Sequence, residues 1–183
     1  MYKKENEDGL GGRIIRDLSG LDPKFRQSSK FAAEEIIRGG IDLYDIVFNA
    51  AISGDGYDAA RCAEACARAA AIKPEIAENS VKKLMAAILK GQDGEIRYYL
   101  SVILIYVNVP KKQAKKCAVM LAEWIKEETG RGARAAFLEA IAYLSFIDPE
   151  LKPLASTLLG EALKSPIPSY AARARQIIMR MGK

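Results

Sequence analysis

Residues 74–110 read PEIAENSVKKLMAAILKGQDGEIRYYLSVILIYVNVP, and this stretch decides the fold. Pro74 stands where a helix begins, a position at which its missing N–H costs little. A helical pattern follows to about Lys90, and Gly91-Gln92-Asp93-Gly94 then breaks it as a turn. A second apolar helix is expected from Ile96 to Val109 before Pro110 starts the next pattern. The stretch is therefore one pair of helices with a short connection. The same punctuation recurs on both sides. Pro149 opens another long helical pattern, and glycine-bearing turns fall at Ser53-Gly54-Asp55-Gly56 and at Gly130-Arg131-Gly132.

The pairs align on an arginine near the start of each second helix: Arg26, Arg61, Arg97, Arg134 and Arg173, spaced 35, 36, 37 and 39 residues apart. The preceding residue is apolar each time (Phe25, Ala60, Ile96, Ala133, Ala172). So is the sixth residue after it (Ala32, Ala67, Ile103, Ala140, Met179). The tenth residue after the first four is Ile36, Ala71, Val107 and Leu144. At about 100° per residue these offsets lie within roughly 40° of one another and form one buried stripe. A fixed period with a fixed buried face is what stacked helix pairs require.

An aspartate precedes three of the arginines: Asp22 before Arg26, Asp58 before Arg61 and Asp93 before Arg97. An Asp, then an Arg, then small and apolar residues resembles the HEAT repeat, over residues 10–182. Arg134 and Arg173 lack that aspartate and depart from the pattern. The resemblance implies an all-α, right-handed α-α superhelix of about five helix pairs, with the Asp and Arg side chains laddered between neighbours. The expected organisation is a polar segment at 1–9 and one solenoid domain at 10–183. Its repeats are expected near 10–39, 41–72, 74–109, 110–147 and 149–182. The tetratricopeptide repeat has a similar period, but its signature Trp, Leu-Gly and Tyr positions are missing.

Composition fits this class. With 50% apolar and 28% charged residues, the chain is too apolar for disorder. At 183 residues it buries roughly 70% of its unfolded surface without a metal or disulfide staple. The first twelve residues lack the apolar core of a signal peptide, and no apolar run is long enough to span a bilayer. The cytoplasm is the default compartment. The net charge of +5 is mildly basic. Histidine is absent, which removes the commonest general base and metal ligand.

Few constellations suggest chemistry, and neither a cofactor nor a metal is expected. Cys62 and Cys66 share a helix face, but they lie among alanines and read as small apolar core residues. The Gly130–Arg134 stretch lacks the preceding strand and the Lys-Ser/Thr ending of a phosphate loop. The serines have no histidine partner. Alkylpurine DNA glycosylases built on HEAT-like repeats are an enzyme alternative, working with a carboxylate and aromatics in a basic groove. Trp124 would have to serve there, and its place late in a first helix reads as packing. Lys111, Lys112, Lys115 and Lys116, with Lys82 and Lys83, form the strongest basic cluster. They offer nucleic-acid binding as the alternative function; the plain reading is a solvated outer face.

The face opposite the buried stripe is where a partner is expected. It carries Tyr98, Ser101, Val102 and Ile105 in the third repeat, and Ala135, Leu138, Glu139 and Ala142 in the fourth. Such a face is an apolar concave centre with polar ends, suited to a peptide or helix of another protein. The leading expectation is a non-enzymatic interaction scaffold using Tyr98, Val102, Ile105, Leu138 and Glu139. Tight superhelical packing or a second copy of the chain would instead cover the same residues.

Overall fold

A computed structural model of the chain describes residues 9–19, 27–92, 94–128 and 130–182. Every regular element among them is helical: α1 (Leu10–Ser19), α2 (Gln27–Ser53), α3 (Gly56–Ile72), α4 (Val81–Lys90), α5 (Gly94–Leu104), α6 (Lys111–Glu127), α7 (Arg131–Ile147), α8 (Lys152–Leu163) and α9 (Pro168–Met181). Short 3-10 turns at Pro74–Ser80 and Pro149–Leu151 lead into α4 and α8. Prolines open the patterns as expected. Pro74 and Pro149 begin the two 3-10 turns, and Pro110 caps α6 in an extended conformation. Alanine, the best helix former, dominates α3.

The α2 segment holds two helices of the sequence pattern in one continuous run. Gly40, with φ 71° and ψ −155°, breaks the helical backbone between them. That conformation is almost confined to glycine. A Cβ at Gly40 would meet nothing within 4 Å, so its cost is purely one of backbone strain. Gly40→Ala should therefore destabilise the chain by about 1–3 kcal/mol, read as a fall in the urea midpoint at unchanged helical CD.

The chain divides into two compact units, residues 1–87 with 91–108, and residues 88–90 with 109–183. The first unit packs α1, α2, α3 and α5 around Leu18, Ile36, Val47, Phe48, Ile76, Leu84, Leu100 and Ile103, all buried. Tyr44 and Phe48 stack there, with centroids 5.8 Å apart. Gly11 lets α1 approach α2 closely, since a Cβ at that position would fall 2.6 Å from Ile46. The second unit packs α6 to α9 around Leu121, Trp124, Phe137, Ile141, Leu144, Leu159 and Ile177.

Within each unit, several side-chain polar contacts between separate elements join residues 30 to 41 positions apart. In the first unit these are Ser29 with Glu64 (separation 35), Asp45 with Ser80 (35) and Lys83 (38), and Glu78 with Asn108 (30). In the second, Glu139 joins Arg173 (34) and Arg180 (41). The expected stripe is buried at Ala32, Ile36, Ala60, Ala67, Ile96, Ile103, Val107, Ala140 and Leu144. It is open at Ala71, Ala172 and Met179, the last 62% exposed. Asp22, Phe25, Arg26 and Asp93 lie outside the described residues.

Candidate functional site

The first unit carries an open cleft of about 640 Å³ along α3 and α5. From α3 it is lined by Tyr57, Arg61, Glu64, Ala67, Arg68 and Ala71, and from α5 by Glu95, Tyr98, Tyr99 and Val102. Tyr57 to Ala71 spans four turns of α3, so the cleft runs for about 20 Å along the helix. That length suits a short extended peptide or a few turns of helix.

A charge cluster built on Glu64 forms part of the lining. Ser29 donates its hydroxyl to Glu64 Oε2 at 2.8 Å, which ties α2 to α3. Arg68 donates Nε and Nη2 to Oε1 at 3.1 and 2.8 Å. Arg61 Nη1 lies 3.5 Å from Oε2, and the Arg61 guanidinium sits 5.7 Å from the centre of the Tyr57 ring. The side chains of Arg61 and Glu64 are only 6% and 11% exposed, whereas Arg68 is 44% exposed. The spacing i, i+3, i+7 along an alanine-rich helix is what puts all three charges on one face. Tyr98 and Tyr99 meet edge to face at 4.9 Å. Burial, with the Glu64 and Glu95 charges and Tyr98 adding to it, pushes the Tyr99 hydroxyl well above its ordinary value, so it remains a neutral donor.

Only part of the expected partner face is found here. Tyr98 and Val102 line the cleft. Ile105 lies past the end of α5, in a turn. The β-branched run Val102-Ile103-Ile105-Val107 weakens the helix. Glu78 also accepts from both the backbone N–H and the side-chain amide of Asn108, at 3.2 and 2.9 Å, fastening the exit of the chain. Leu138 is fully buried and presents no surface. Glu139 holds α9 to α7 through Arg173 and Arg180. Both belong to the second unit.

The cleft also differs in character from the apolar groove expected, because tyrosines and ion-paired charges line it. The α3 residues at the same distances from Arg61 as Tyr98, Ser101, Val102 and Ile105 are from Arg97, namely Cys62, Ala65, Cys66 and Ala69, are all buried. α3 packs against α1, α2, α5 and the Pro74–Ser80 turn, so it is enclosed on several sides and not along one stripe. The cleft residues Arg61, Glu64 and Arg68 were missed for that reason. Their triad spacing in an otherwise uncharged helix interior was the available signal.

The aligned arginines do unlike things. Arg61 pairs with Glu64, Arg97 donates Nε to the Gln92 carbonyl, and Arg173 binds Glu139. Arg134 lies 4.8 Å from the centre of the Tyr170 ring. Half of the lysine cluster is engaged with carboxylates: Lys83 with Asp45 at 2.9 Å, Lys111 with Asp148 and Lys115 with Glu150, both at 3.6 Å. Lys82, Lys112 and Lys116 are exposed.

The cysteines are all buried and free. Burial, aided by the Asp58 charge, pushes the Cys62 thiol up to about 12. Burial alone pushes Cys117 to about 11. Both therefore stay protonated and non-nucleophilic near neutral pH. Among the described residues no three Cys, Asp or Glu side chains come together to hold a metal ion, and no helix is long and apolar enough to cross a membrane. In comparison with known proteins, the chain matches no family model and no curated protein.

Proposed function

We propose that this chain is a non-enzymatic interaction scaffold of HEAT-like helix pairs, which binds a peptide segment of a partner protein along α3 and α5. The observation that carries this reading is the cleft itself, an open channel lined by three tyrosines and a half-exposed arginine. Tyrosine and arginine are the residue types that dominate protein-binding hot spots. Tyrosine supplies rigid apolar area with a polar tip, and arginine supplies directed donors. The right-handed superhelical stacking belongs to the same reading. Its support is the one-repeat separation of the polar contacts inside each unit.

The test is affinity capture on immobilised wild-type and Tyr98→Ala chains, quantified by mass spectrometry. Tyr98 is half-buried and outside the fully buried core, so the variant should keep its helical CD signal. A protein retained by the wild type should bind the variant about thirtyfold more weakly, the effect of removing a hot-spot side chain worth about 2 kcal/mol. Equal retention on both columns would overturn the reading.

A further inference from the structure

We infer that the cleft along α3 and α5 selects acidic peptides, with an aspartate or glutamate side chain of the partner seated on Arg68. This rests on the reading of the cleft as a peptide site and adds the chemistry of its anchor. Two guanidiniums, Arg61 and Arg68, share one carboxylate in the cleft lining, that of Glu64. Both Glu64 oxygens are already engaged, Oε2 by Ser29 and Arg61 and Oε1 by Arg68. Glu64 therefore has little capacity left to attract a cation.

Arg68 is differently placed. It spends Nε and one Nη2 hydrogen on a single oxygen of Glu64. A guanidinium has five N–H donors, so the Nη1–Nη2 edge remains available for a second, two-pronged carboxylate contact. The side chain is 44% exposed, so that edge can be reached from solvent. Tyr98, Tyr99 and Val102 line the cleft beside it and offer an apolar seat for a residue flanking the acid.

Among the described residues, Glu95 is the one remaining charge of the lining, on the exposed first turn of α5. It disfavours an acid beside itself and so fixes the polarity of the bound segment. A basic anchor would meet Arg61 and Arg68 in the same lining. At this point of the lining both Glu64 oxygens are engaged while Arg68 keeps an open donor edge, so the local pairing favours an acidic anchor over a basic one.

Panning a phage-displayed random peptide library on the purified full chain tests this, followed by titration of the enriched peptides as synthetic products. Enriched sequences should carry an Asp or Glu next to an aromatic or aliphatic residue. Changing that acid to its amide should weaken binding about tenfold or more, and Arg68→Gln should do the same. The two changes together should weaken it little further, because they remove the same contact. If Arg68→Gln loses helical CD, Arg68→Lys serves in its place: it keeps the charge, removes the two-pronged edge and should weaken binding by a smaller factor. Neutral or basic peptides that lose binding in Tyr98→Ala but bind Arg68→Gln like the wild type would overturn the acidic anchor and leave the cleft standing. No enrichment, or peptides indifferent to Tyr98→Ala, would overturn the cleft reading and the anchor together.

Discussion

Replacing Glu64 with alanine is expected to cost about 3 kcal/mol of unfolding free energy, the usual penalty for removing one partner of a buried ion cluster. The Glu64 side chain is 11% exposed and Arg61 is 6% exposed. Their charges are therefore poorly screened by water, and Arg61 would lose its carboxylate without gaining solvent. The Ser29 hydroxyl would lose its acceptor too, and with it a link between α2 and α3. Arg68 contributes less, because at 44% exposure water can replace Glu64 around it. The exposed Arg38–Glu35 pair is the contrasting case, at 72% and 35% exposure, where solvent screening leaves little net stabilisation. Urea unfolding followed by far-UV CD reads the effect as a lower midpoint at unchanged slope. A midpoint within error of the wild type would mean that the cluster contributes nothing to folding.

The helices were legible in the sequence because their signals are local. Pro74, Pro110 and Pro149 mark starts, glycine turns mark stops, and an apolar stripe recurs at a fixed offset from each arginine. Gly40 breaks the helical backbone of α2, where glycine is the natural residue for its positive φ. The open face was harder to read. A single stripe predicts one buried side and therefore one exposed side. In α3, however, residues 59–67 are all buried, and α7 likewise hides Leu138 together with Phe137. Each of these helices meets neighbours from its own pair and from adjoining elements of its unit. Small residues such as Ala63, Ala65 and Cys66 permit that enclosure, yet alanine carries little periodic signal of its own. Ile105 was misplaced for a different reason: the end of α5 depends on Glu78 capturing Asn108, a contact thirty residues away that no local pattern contains.

Trp124→Ala should be at least as disruptive as the loss of Glu64, at about 3–5 kcal/mol, the range for truncating a large buried aromatic. The side chain is 1% exposed, and its ring lies 5.5 Å from that of Phe137 at 59°, a tilted contact that joins α6 to α7. Truncation would lose both the buried area and this aromatic pair, and would open a cavity in the second unit that rigid helices fill poorly. This variant also separates two uses of an aromatic residue. A tryptophan serving in the open groove of a glycosylase-like site would be reachable from solvent, and its loss would spare the fold. Trp124 is the sole tryptophan of the chain and is buried, so wild-type emission should shift to longer wavelength as the second unit unfolds in urea. Far-UV CD must follow the variant, which lacks the reporter. A large fall in its midpoint places Trp124 in the core. An unchanged midpoint would contradict that placement and would reopen the groove role that packing against Phe137 argues against.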